Sequence, residues 1–212
     1  LDSRNFEGDH LYRLLKLPLQ LKWSSANNLL DPTKGQTYNL KLTPSTNMMR
    51  SSFFYVVHTS TFSGYHSLFN NRLTLAAKVV FANIVGAPRN TIPPPDRFYG
   101  GSENVMRGFR AYTISPLHDK RTPIGGRSML AGSLEARLRT AGDLGYVCFY
   151  DVGNVYKRNV PELTIHQYHS VGLGLRYATP IGPLRFDVAV PINRRPSIDP
   201  KFQIYFSIGQ SF

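Results

Sequence analysis

Arg107, Gly108 and Phe109 stand side by side in this sequence: a planar guanidinium, a backbone hinge and an aromatic wedge. A guanidinium carries five N–H donors in a rigid fork and binds carboxylates two bonds at a time. Glycine admits positive φ and close backbone approach, and Gly100-Gly101 supplies the same freedom a few residues earlier. Two carboxylates, Glu135 and Asp151, sit inside regularly alternating segments. Glu135 is opposite in phase to Leu134 and Leu138, and Asp151 lies between Tyr150 and Val152. This chemistry anchors and recognises; it does not catalyse. No Ser-His-Asp elbow, phosphate-binding loop or C-x-x-C pair is present, which points away from an enzyme. His10, His58, His66, His118, His166 and His169 are dispersed, and the 166/169 pair reads as solvated loop histidines, so no metal or cofactor is expected. Cys148, the single cysteine, excludes an internal disulfide and reads as a small apolar filler.

The segments that must position these residues alternate with period two. Leu15, Leu17, Leu19, Leu21 and Trp23 alternate with Lys16, Pro18, Gln20 and Lys22. The same rhythm returns in Leu73 to Phe81, in Leu134 to Leu138, in Val171 to Tyr177, in Leu184 to Val190 and in Phe202 to Ile208. One row is apolar; the other holds Lys, Arg, Glu, Asp, Ser and Gly. A soluble sandwich points the apolar row inward, whereas a membrane barrel points it at lipid and lines its lumen with the polar row. Periodicity alone leaves both open. Several runs approach the roughly 10 residues a tilted membrane strand needs. Mean hydropathy is slightly negative, and no stretch nears the roughly 18 uncharged apolar residues of a membrane helix. Neither fact weighs against a barrel. Aromatics at 12%, with 12 Tyr and 13 Phe, suit strands. The net charge of +12 suits a cation-lined lumen or anionic headgroups. Nucleic acid is not expected as a partner, because the basic residues are spread along strands instead of clustered on one face.

Nine strands are predicted, near 11–25, 36–43, 49–63, 72–85, 128–139, 145–156, 169–178, 183–192 and 202–212. Tight turns at 70–71, 140–144 and 179–183 alternate with longer links at 44–49, 87–127, 157–169 and 193–201, the asymmetry of an outer-membrane barrel. The whole chain, 1–212, reads as one partial barrel domain. The 87–127 link is too long to be idle, since loops of that length are usually functional or folded onto something.

Its sequence carries a family resemblance. Phe98-Tyr99-Gly100-Gly101, then Arg107-Gly108-Phe109, then Ser115-Pro116, is similar to the sixth extracellular loop of the BamA/TamA superfamily of outer-membrane assembly barrels. Met106 is a mild departure before the arginine. Phe149-Tyr150-Asp151-Val152-Gly153 resembles the family's F-x-D-x-G strand. Gly172-Leu173-Gly174-Leu175-Arg176 with Thr179-Pro180-Ile181-Gly182-Pro183-Leu184 resembles its penultimate hairpin, and Leu30-Asp31-Pro32-Thr33-Lys34-Gly35 its L-D-P-T-x-G turn. Asp187-Val188-Ala189-Val190-Pro191 is closer to the TamA-like branch.

The resemblance implies an all-β, transmembrane antiparallel barrel in the bacterial outer membrane, ahead of an organellar one. The family barrel has sixteen strands, so the first seven and the periplasmic POTRA domains are expected outside this sequence, which starts at Leu1 without Met or a signal-like run. The loop is expected to fold into the lumen, with Arg107 meeting Glu135 and Asp151. Alternatively, those carboxylates pair with the neighbouring Arg137 and Arg176. Ile204, Phe206, Ile208 and Phe212 are similar to the carboxy-terminal β-signal, an edge that another strand can capture. Implied partners are outer-membrane lipid and lipopolysaccharide, nascent outer-membrane or secreted proteins, and the POTRA domains. The function implied is insertion or translocation of outer-membrane proteins. A passive porin-like or two-partner secretion channel, and a soluble β-sandwich binding module, are the alternatives.

Overall fold

Alternation becomes one antiparallel sheet in the computed structural model, which describes residues 12–48, 53–119, 121–180 and 182–212. The strands are β1 (Leu14–Lys16), β2 (Leu19–Ser24), β3 (Gly35–Asn47), β4 (Phe54–Leu68), β5 (Leu73–Val85), β6 (Leu117–His118), β7 (Thr122–Pro123), β8 (Ser128–Arg139), β9 (Leu144–Tyr156), β10 (Tyr168–Tyr177), β11 (Leu184–Pro191) and β12 (Gln203–Ile208). β6 and β7 form a hairpin of their own. The others make a ten-stranded sheet ordered as in the chain, with β1 and β2 both on β3. Among the described residues the helical turns are two 3-10 segments, Arg89–Thr91 and Pro94–Asp96, and no helix is long and apolar enough to cross a membrane.

Register fixes the two faces, because side chains directly opposite share one. Leu134 pairs with Tyr150, and Tyr150 with Val171, giving an apolar row across β8, β9 and β10. One residue along, Ser133 pairs with Asp151 and Asp151 with Ser170, giving a polar row. The apolar row is the exposed one: Leu134 is 58% accessible and Leu173 69%. The polar row is buried, including Lys78, Ser133, Glu135, Arg137, Asp151, Arg176, Arg185 and Asp187. A soluble sandwich requires the opposite arrangement and a second sheet against the apolar face, so that expectation fails. Exposed apolar outside and buried polar inside is the pattern of a transmembrane barrel wall.

Ahead of the long loop, three element boundaries differ from the sequence expectation. The run 11–25 divides into β1 and β2 at Pro18, which lies diagonal to Pro44 of β3; neither proline has an N–H to give to the ladder there. Register continues across it, from Lys16↔Ser45 to Leu19↔Leu42. The start of that run at Leu11 lies outside the described residues. The expected loop 44–49 is instead the end of β3, with Pro44 opposite Val56, and Met49 lies outside the described residues. The strand expected at 49–63 is β4, displaced to end at Leu68. His58, Ser60, Gly64 and His66 occupy the outward row of β4, opposite or near Leu42 and Leu40, so the apolar alternation fades there. The residues 49–52 of that expectation are outside the described ones. Phe69, Asn70 and Asn71 take positive φ in the turn that follows.

The inner face changes character along the strands. Near the long-loop end its inward positions are apolar: Val80, Ala82, Met129, Ala131 and Val155 pack with Met106, Phe109 and Ile114 of the loop. A second cluster joins Tyr55 and Ile84 to Ala87 and Ile92 at the loop's start. Lower down, the inward positions are charged.

Candidate functional site

The loop between β5 and β8 folds back against the inner, polar face of the sheet. Short bridges, Phe98 to Gly126 and Gly100 to Ile114, hold its two arms together. Lys16 Nζ reaches Asp96 Oδ1 at 2.5 Å, and the Tyr55 hydroxyl donates to the other oxygen of the same carboxylate. The loop thus has a fixed base beside β1 and β4. Gly101 takes φ 94° with its Cα against the Arg110 carbonyl, and Gly100 donates to the Ile114 carbonyl at 2.8 Å. Side chains at these positions would part the two arms.

At the loop tip Arg107 is 1% exposed, and all five of its N–H donors are engaged. Nε donates to Asp151 Oδ2 at 2.8 Å. Nη1 donates to Glu135 Oε1 at 2.7 Å and to Asp187 Oδ2 at 3.3 Å. Nη2 donates to Asp151 Oδ1 at 2.9 Å and to Ser133 Oγ at 3.1 Å. The Arg107 main-chain N–H also donates to Asp151, at 3.1 Å. The Phe149 ring lies 3.5 Å from the guanidinium carbon, a cation–π contact. Burial works against the charge on Arg107, but Asp151 and Glu135 outweigh it, so its pKa is raised. The guanidinium therefore joins β8, β9 and β11 at one point.

Backbone geometry makes this approach possible. Met106 takes φ 64°, which costs a non-glycine residue about 1–2 kcal/mol. Gly108 takes φ 90°. A Cβ there would lie 3.3 Å from the Pro191 nitrogen, the Ser170 Cβ and the Val190 carbonyl carbon. The Gly108 N–H donates to the Tyr205 hydroxyl of β12 at 2.8 Å. Phe109 is fully buried and meets the Tyr168 ring edge-on at 5.5 Å.

Neither sequence alternative for the carboxylates describes the cluster by itself. Glu135 accepts from Arg107 and also from Arg137 Nε at 2.8 Å. Arg176 pairs with Asp187, at 2.5 Å, and not with Asp151. Asp187 also lies 3.0 Å from Arg185 Nε. The sequence does not single out Ser133, Arg185 or Tyr205, and it marks Asp187 only within a branch motif and not as a partner of Arg107. Parity marks all four: each sits on the polar row of its strand, but its loop partner is 26 to 97 positions away and no local pattern names it. Lys78, also inward, donates to the Asn104 carbonyl at 2.9 Å.

The final segment departs from the expected strand 202–212. Ile204, Phe206 and Ile208 lie outward and exposed. β12 stops at Ile208, and Gly209 takes φ 93°. Phe212 therefore leaves the apolar row and turns inward. It stacks on Tyr65 at 6.3 Å, with Lys78 Nζ at 4.6 Å and the Arg137 guanidinium at 5.1 Å. Arg137 Nη2 donates to the Phe212 carbonyl at 3.0 Å. His166 and His169 have separate partners, Asn193 and Tyr150, and His10 lies outside the described residues. Cys148 is exposed on the outward apolar row, a small side chain opposite Leu173.

The family model described as "Omp85 superfamily domain" matches residues 2–212, and the chain belongs to that superfamily. Outer membrane protein assembly factor BamA of Neorickettsia risticii (strain Illinois) is 33% identical over 136 residues, which is 59% of this chain and 18% of that protein. The protein of the same name from Nitratidesulfovibrio vulgaris is 30% identical over 156 residues, 71% of this chain and 20% of its own length. This chain thus spans a fifth or less of these curated relatives. The crystal structure of BamA from Haemophilus ducreyi lacking POTRA domains 1–3 is similar in fold, with a TM-score of 0.70 at 23% identity, covering 88% of this chain and 41% of that one.

Proposed function

We propose that this Omp85-superfamily chain forms part of the wall of a barrel that inserts or translocates other outer-membrane proteins, with 1–212 as one partial barrel domain. The long loop braces the lumen through Arg107, and a client strand pairs at the seam beside β12. The observation that carries this reading is the pairing of β12. Its hydrogen-bonded neighbour among the described residues is β11, so its other edge can receive a strand by β-augmentation. Ile204, Phe206 and Ile208 present lipid-compatible side chains there and act as the recognition segment, together with Phe212. Strand exchange of this kind needs neither a cofactor nor a covalent step, and the chain is not an enzyme.

The loop end faces outward from the cell, where the cations of the chain meet lipopolysaccharide phosphates. POTRA domains of the same parent chain are the partners expected on the periplasmic side. Asp187-Val188-Ala189-Val190-Pro191 supports a TamA-like branch, while both curated relatives above carry the BamA name. A passive or two-partner secretion channel is the second reading. Met106, Phe109 and Ile114 weigh against it, because they pack tightly on the inward apolar residues near the loop end.

The test is a photoreactive amino acid at Ile204, with Leu75 on β5 as the control, in cells making new outer-membrane proteins. Adducts to nascent outer-membrane proteins at Ile204 alone are expected. Adducts to secreted proteins would favour the secretion channel, and equal labelling at the two positions would remove the seam.

A further inference from the structure

A second guanidinium is saturated in the same way as Arg107. Arg195, in the link between β11 and β12, uses all five donors. Nε donates to Asp199 Oδ2 at 2.7 Å and Nη2 to Asp199 Oδ1 at 2.8 Å. Nη2 also reaches Thr113 Oγ1 at 3.1 Å, and Nη1 reaches the Thr113 carbonyl at 3.0 Å and the Tyr168 hydroxyl at 3.2 Å. Its guanidinium carbon lies 4.6 Å from the Tyr168 ring centre. By contrast, Arg137 Nη1 and Arg176 Nη2 are buried without a hydrogen-bond partner among the described residues.

The base under Arg195 is stiff. Pro196 and Pro200 bracket the turn and restrict φ. The Ile198 and Asp199 N–H groups both donate to the Arg195 carbonyl, at 3.0 and 2.8 Å. The Asp199 side chain is fully buried beneath it. Burial opposes the charge on Arg195, yet Asp199 and Tyr168 outweigh it and its pKa is raised. What the fork holds is the long loop, at Thr113, six residues beyond the tip arginine. The same loop meets β12 twice more, through Gly108 to Tyr205 and through the Phe109 carbonyl, which accepts from Gln203 at 3.5 Å.

We propose that Arg195, fixed by Asp199 and stacked on Tyr168, is a positioning residue that ties the long loop to the last hairpin, so that β12 and the loop tip move as one body. The link joins two loops that β-pairing leaves independent, and it acts on β12, whose hydrogen-bonded neighbour among the described residues is β11. The use of that movement in client capture rests on the assembly reading above; the coupling itself does not.

Hydrogen exchange in the intact protein, reconstituted in lipid nanodiscs, tests the coupling. Loss of charge-assisted bonds in Arg195→Ala should speed exchange about tenfold or more at both 110–114 and 203–208. Amides of β8 and β9 should be unchanged. Arg195→Lys retains the charge but not the fork, so it should also loosen both segments. It serves as the second variant if the alanine protein folds poorly. Loosening of 110–114 with β12 unaffected would overturn the proposal, as would a uniform rise through the whole sheet, which marks a general stabiliser. If both segments loosen while labelling of clients at Ile204 is unaltered, the coupling stands and the seam reading fails.

Discussion

The loop tip is held by two walls of very different character. On the β8–β9 side it meets buried carboxylates: the Glu135 side chain is fully buried, Asp151 nearly so, and Arg107 binds both. On the β12 side it meets neutral groups, the Tyr205 hydroxyl and, at 3.5 Å, the Gln203 amide, on a strand with no fully buried residue. A buried ion pair with every donor satisfied cannot be half broken, because removing one partner leaves uncompensated charge in a low-dielectric interior. A single neutral hydrogen bond contributes far less and can be exchanged for water. The sheet is therefore graded from a stiff middle to a loosely held edge, and opening events are drawn from the loose end. The proposed seam falls at that end.

Four substitutions break or sharpen this contrast. Arg107→Ala strands Glu135, Asp151 and part of Asp187, and should lower stability by about 3–5 kcal/mol, read as the urea midpoint in detergent or lipid. An effect as small as that of an exposed arginine would remove the wall as an anchor. Phe109→Ala empties a fully buried site between Val80, Met129 and Tyr168 and should cost about 3 kcal/mol. Protease cutting within 100–115 should increase with it; an unchanged pattern would mean that the apolar contacts do not seat the tip. Tyr205→Phe deletes the acceptor for Gly108 and should cost about 1 kcal/mol, with faster exchange confined to β12. A loss equal to that of Arg107→Ala would abolish the distinction between the two walls. Arg110→Ala, three residues past the tip and exposed, should stay within about 0.5 kcal/mol in the same unfolding assay.

The outer face offers a second contrast. β8 keeps a clean apolar row and β5 one that is apolar from Leu73 to Phe81, and their limits were legible from alternation. β4 carries His58, Ser60, Gly64 and His66 outward, and its limits were misplaced by five residues at each end. His58 lies 3.0 Å from Asn83 and 2.8 Å from Ser60, and Ser60 3.2 Å from the Tyr38 hydroxyl. Polar groups on an apolar face are tolerated when they satisfy one another. That satisfaction is a cross-strand matter, so a reading along one strand sees only broken periodicity.

The sequence by itself determined the period, the nearly complete set of strands, the turn chemistry at Asn70-Asn71 and which residues share a face. It marked Arg107, Gly108, Phe109, Glu135 and Asp151 as notable, because a hinge beside a guanidinium and carboxylates in alternating strands are local patterns. Only the tertiary structure decided which face is inside, since an alternating row has the same period whichever way it points. Only it brought Asp187 to Arg107 across 80 positions, turned Phe212 inward at Gly209, and set Arg195 on Thr113. Those contacts arise where a folded loop meets the inner face of the sheet, and their partners are chosen by close approach and charge compensation in space, which no spacing along the chain encodes.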